Sequence, residues 1–108
     1  MSTEPPRESR FAIGTLIRHL KAGYRGVIVD VDAVFSLTDD WYEQVARSRP
    51  PKDRPWYHVL VHDADHMTYV AERHLAPDDE GGPIRHPGLE AFFGGFEDGR
   101  YVRREPRH

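Results

Sequence analysis

The chain has no cysteine, two methionines, no long apolar run and no excess of basic charge, since acidic residues outnumber basic ones and give a formal net charge of −3. Each lack removes a class of function. Without thiols there is no disulfide framework, no thiol nucleophile and no cysteine-ligated zinc, and a reducing compartment, the cytoplasm, is the expected location. Without a stretch of about 20 apolar residues no transmembrane helix can form, so no membrane association is expected. Without a basic surplus, sequence-independent duplex binding has little electrostatic drive, because that binding depends on neutralising phosphates. The opening "MSTEPPRES" is polar and proline-bearing, unlike a signal peptide. "GYRG" is too short for a phosphate loop, and Ser9, Ser36 and Ser48 stand in no nucleophile signature. Neither an enzyme nor a cofactor is expected.

What is present is strand-like. A chain of 108 residues holds one small core. "FAIGTLIRH" at 11–19 reads as a first strand, with Gly14 interrupting it where a bulge or tight bend is expected. In "RGVIVDVD" the alternation places Val27, Val29 and Val31 on one face and Ile28, Asp30 and Asp32 on the other. A third strand over about 56–63 and a fourth over 67–71, joined by a turn from Asp63 to His66, complete a meander. Val27, Val29, Val31, Val59 and Val61 are the expected core. The connection between the second and third strands is long for a compact domain and carries a helix signal at 39–48, with Asp40 as cap, Glu43 three residues on, and Pro50 and Pro51 ending it.

Three patterns invite chemistry. In "WYHVLVHDADH", His58, His62 and His66 repeat every four residues, which on a helix would make a chelate. The intervening aromatic and β-branched residues make it a strand, on which His58 and His62 lie roughly 13 Å apart, so no metal site is expected from them. Asp30 and Asp32 share a strand face at carboxylate-pair spacing, but nothing nearby raises one pKa, so a solvent face is expected. "RSRPPKDR" at 47–54 is the densest basic run, and Arg47, Arg49, Lys52 and Arg54 are the nucleic-acid-binding candidates. Between Arg10 and Leu75, however, basic and acidic residues balance. Phe35, Trp41, Tyr42 and Trp56 are the partner-binding candidates, since such aromatics anchor protein contacts.

"FAIGTLIRH", "GYRGVIVDVD", "PWYHVLVHD", "TYVAERHL" and "PIRHP" stand in the order and at about the spacing of the YccV-like hemimethylated-DNA-binding domain, a family that includes the bacterial heat shock protein HspQ, and over residues 10–87 the chain resembles it. The resemblance implies a small SH3-like or Tudor-like β-barrel, here with a helix-bearing insertion between strands two and three, forming a homotrimer without catalytic residues. It implies either of two functions: a specificity factor that promotes degradation by a Lon-type ATP-dependent protease, contacting the protease or its substrates, or binding of hemimethylated DNA that affects replication-initiation control. The near-neutral core and the aromatic insertion favour protein binding, with the insertion at 33–55 expected at a subunit or partner contact. The domain reading is thus a flexible 1–9, the family domain at 10–87, and an extension at 88–108, whose Phe92, Phe93, Phe96 and Tyr101 are too apolar for a free tail.

Overall fold

The computed structural model describes residues 9–104; the flexible N-terminus expected at 1–9, apart from Ser9, and the last four residues of the extension lie outside the described residues. Five strands form one antiparallel sheet: β1 (Leu16–His19), β2 (Arg25–Asp32), β3 (Trp56–Val61), β4 (Met67–Ala71) and β5 (Leu75–Pro77), in the order β4-β3-β2-β1-β5. The fold is mainly β, as expected. β4 and β5 occupy opposite edges, yet only the 3₁₀ turn Glu72–His74 joins them, so the sheet must curl until its edges approach. The hydrogen-bonded ladder does not close between them, and a seam remains. Across it the Tyr24 and Thr68 hydroxyls meet at 2.8 Å.

The curled sheet has apolar residues on both faces. Inside lie Ile17, Ile28, Tyr57, Val59, Val70 and Leu75, with Phe11 closing one end. Outside, Leu16, Val27, Val29 and Leu60 pack against Ile84, Phe93 and Tyr101. The expected single core of five valines is therefore divided. The cause is a β-bulge: Ile28 pairs with Val59 and Asp30 with His58, so Val29 is an extra residue and the alternation of β2 inverts there. Val31 consequently faces inward, only partly buried. Val61 is buried but belongs to neither cluster.

The extension covers the outer face. A single helical turn, α2 (Leu89–Phe92), leads into the hairpin β6 (Phe93–Glu97) and β7 (Arg100–Arg103). Phe93 and Tyr101 supply the buried contacts; the Tyr101 hydroxyl accepts from the Ile84 N–H at 3.1 Å and the Tyr101 N–H donates to the Gly14 carbonyl at 2.8 Å. Gly14 has φ +94°, and an added Cβ would stand 2.1 Å from the Tyr101 carbonyl oxygen, so the expected bend is the point where the hairpin docks.

The insertion forms α1 (Asp39–Val45), shorter than the sequence pattern suggests. Thr38, not Asp40, is the cap: its hydroxyl accepts the Trp41 N–H at 3.1 Å, while Asp39 and Asp40 favour the positive end of the first turn.

One buried hydroxyl makes stability pH-dependent. Tyr57 is fully buried, and its hydroxyl donates to Glu72 Oε2 at 2.6 Å and accepts from the Phe11 N–H at 3.3 Å. Burial and the bond to Glu72 push its pKa up to about 12. The unfolded chain releases this proton near pH 10 and the folded chain does not, so stability falls as pH rises from about 10 to 12, by on the order of 2 kcal/mol. Tyr57→Phe is expected to cost about 1 kcal/mol at pH 7 and to flatten the alkaline loss. Denaturant unfolding at pH 7 and pH 11 checks this, and an unchanged alkaline loss would contradict it.

Candidate nucleic-acid interface

The four aromatic candidates are brought together. Phe35, Trp41, Tyr42 and Trp56 pack with Tyr69 into one cluster over β3 and β4, with Trp56 stacked on Tyr69 at 5.2 Å and Phe35 edge-on to Trp56 at 5.0 Å. Tyr42 and Trp56 are buried; the Tyr42 hydroxyl donates to the Pro50 carbonyl at 2.6 Å and the Trp56 indole to the Pro51 carbonyl at 3.0 Å. Trp41 and Phe35 are half-buried. The cluster folds back on its own sheet, leaving Val34, Leu37 and Val45 as the exposed apolar residues of the insertion.

The basic candidates are distributed differently. Arg49 makes a bidentate pair with Glu43 at 3.0 and 3.1 Å, Lys52 meets Asp39 at 3.0 Å, and Arg54 lies 3.5 Å from Asp53. The Arg49 bond holds the Glu43 carboxyl below its usual value. Arg47 alone of the four has no acidic partner among the described residues. Exposed pairs of this kind contribute little to stability, but by engaging three of the four cations they remove most of the local surplus of positive charge.

Arg47 instead lies in the seam. There the β1–β2 turn, the end of α1, the edge of β4 and the 3₁₀ turn enclose a groove of about 370 Å³. Its aromatic lining is Tyr24, Trp41, Trp56 and Tyr69; its polar rim is Lys21, Arg47, Ser48, His19 and His74. Among the described residues no acidic one lines it. A smaller neighbouring cleft brings Arg10, Arg54 and Arg73 around Glu72. A cationic band thus follows the seam, drawn from segments far apart in sequence. The pairing of His19 with Leu75 puts the β1–β2 turn beside the 3₁₀ turn, and Arg73 ties that turn to the insertion by donating to the Ser48 carbonyl at 2.8 Å. Sequence spacing could not reveal Arg10, Lys21 or Arg73, because none belongs to a local basic run.

His19 and His74 stack at 5.8 Å between centroids, 10° from parallel. Burial, the His74 ring and Lys21 lower the pKa of His19; burial, Arg73 and Lys21 lower that of His74. His19 Nδ1 accepts the Lys21 and Ala22 N–H groups at 3.2 and 3.0 Å, an arrangement suited to a neutral ring. Ser48 Oγ lies 2.9 Å from His74 Nε2, but no carboxylate bonds this histidine among the described residues, so the orienting member of a hydrolytic triad is missing.

His58, His62 and His66 do not converge. His58 Nε2 faces Asp32 at 3.1 Å, His62 Nδ1 accepts the Arg85 N–H at 2.9 Å, and His66 is exposed. The ligand-type atoms that do gather are those of Asp30, Asp32 and His58, within 4.8 Å of one another on the outer face. The set could ligate a divalent ion, but Asp32 is already engaged by His58 and by the Tyr69 hydroxyl at 2.8 Å. Burial and that bond to Asp32 push the Tyr69 pKa up to about 12.

A family model described as hemimethylated DNA-binding protein, YccV-like, matches residues 9–100. The chain belongs to the YccV-like family. The match reaches beyond Pro87 to Arg100, the first residue of β7, so it takes in β6 and stops just short of the outer-core residue Tyr101. The YccV-like family is one of binding domains rather than enzymes, and its HspQ type falls within it. Among the described residues no helix is long and apolar enough to cross a membrane.

Proposed function

We propose that this YccV-like protein is a non-enzymatic regulatory binding module of the cytoplasm whose ligand is hemimethylated DNA, engaged along the seam. The observation that carries the reading is the groove, lined by no acid among the described residues, with Lys21 and Arg47 on its rim and continued by Arg10 and Arg73, on a chain whose other charges sum to a negative value. Local positive potential compensates for the net charge of −3. The ion-paired Arg49, Lys52 and Arg54 have a smaller part in it than their density suggests. An assembly of three copies would present three such bands and add affinity through multivalency.

The test is the salt dependence of binding to a hemimethylated duplex. Each phosphate contact adds about 0.9 to the slope of log K against log salt, so Lys21→Ala/Arg47→Ala is expected to lower the slope by about 1.8, and Arg49→Ala/Lys52→Ala by much less. The reverse order would move the interface away from the seam to residues 49–54.

A second reading keeps the module and changes the ligand: a specificity factor for a Lon-type ATP-dependent protease, contacting the protease or its substrates. The unpaired edge of β4 beside an apolar groove favours it, since an extended peptide can add to a free strand edge. Stimulated degradation of defined substrates by the purified protease, with no duplex binding at low salt, would select this reading.

A further inference from the structure

Resting on the DNA reading, we propose that the seam groove takes one unstacked nucleotide of the bound duplex, with its base against Tyr24, Trp41 and Tyr69 and its phosphate against Lys21 and Arg47. Three observations converge on that occupant. The groove's volume of about 370 Å³ is at the small end of ligand clefts, which span about 300–1,000 Å³, and suits one heterocycle and its sugar rather than a double helix. Its floor is aromatic and aliphatic, with Val45, Ala46 and Pro50 beside the rings, an environment that stacks a base and accepts a methyl group. Its rim carries cations and hydroxyl or imidazole groups and, among the described residues, no carboxylate, which complements a phosphate and rejects a basic peptide.

The arrangement also answers how a chain of net negative charge can read methylation. A methyl group in the major groove is a small feature beside the phosphates, whereas a base brought into an apolar groove presents the methyl group directly. Extruding a base costs unstacking and unpairing, and that cost is least where the base lacks a partner.

The experiment follows from this cost. Full-length protein is titrated with three short duplexes of one sequence: hemimethylated and fully paired; hemimethylated with the methylated base opposite an abasic position; and unmethylated with the same abasic position. The hemimethylated duplex with the abasic position is expected to bind about tenfold more tightly than its paired counterpart and to quench tryptophan fluorescence, because unpairing is already done. The unmethylated abasic duplex is expected to fall between them. Trp41→Ala removes a half-buried ring and can perturb folding, so Val45→Glu serves as the second variant: Val45 is 54% exposed, and the change sets a carboxylate in the groove without opening the core. A folded Val45→Glu protein is expected to lose the abasic preference. Equal affinity for the paired and abasic hemimethylated duplexes, or a preference that survives Val45→Glu, overturns the nucleotide site while leaving duplex binding intact. Failure of the wild type to bind any of the three overturns the DNA reading together with it.

Discussion

Val29→Asp is expected to leave the protein unfolded at room temperature, whereas Val31→Asp, two residues along the same strand, is expected to fold with reduced stability. Val29 is 6% exposed and sits beneath Phe93 and Tyr101 with Val27 and Leu60. A carboxylate there loses its hydration and finds no basic partner among the residues packed on it. The penalty is several kcal/mol, against the total of about 5–15 kcal/mol that holds a domain folded. Val31 lies past the bulge and is only partly buried, so an aspartate at that position retains water. If β2 alternated without a bulge, the two variants would behave alike. Thermal unfolding of both decides the register, and equal melting temperatures would contradict the divided core.

A chain ended at Pro87 is expected to lose cooperative folding. It would lack Phe93 and Tyr101, each contributing about 2–3 kcal/mol by burial, and would expose Val27, Val29 and Leu60 on an open sheet face. The backbone bond from Tyr101 to Gly14 and the hydroxyl contacts to Ile84 would go as well. Gly14→Ala should reproduce part of this loss with the hairpin still covalently present, since its methyl group would strike the Tyr101 carbonyl and its φ is unfavourable to alanine. A truncated chain that unfolds in one sharp transition at the wild-type temperature would show that the extension is dispensable.

These two cases mark what the sequence could convey. Strands β2, β3 and β4 are legible because alternation, β-branching and turn residues act over a few positions. The bulge at Val29 is not, because it is selected by the partner strand, and nothing in "RGVIVDVD" distinguishes a regular strand from one carrying an extra residue. Thr38 outcompetes Asp40 as cap because the loop delivers it in extended conformation, a tertiary consequence. The short β5, β6 and β7 lie in a segment rich in glycine and proline and carry no period of their own; their pairing and packing on the sheet make them strands. Phe93 and Tyr101 are visible as apolar residues needing cover, but the face they cover is not.

The site divides in the same way. Aromatic residues at 35, 41, 42 and 56 stand out by type, and the structure gathers them, but with Tyr42 turned inward as support for the groove and Trp56 buried at its base. The run at 47–54 stands out by charge density, and three of its four cations are spent on neighbouring carboxylates. Lys21, Arg73, His19 and His74 become a site only when the curled sheet brings two turns together across the seam.

The most direct test of a ligand at that seam is a map of backbone amide shifts as a hemimethylated duplex is added to labelled protein. The account predicts the largest changes at Lys21, Arg47, Ser48, His74 and along Thr68 to Ala71, with small ones in the hairpin. Changes concentrated instead at Arg100, Arg103 and Arg104, with the seam undisturbed, would contradict it.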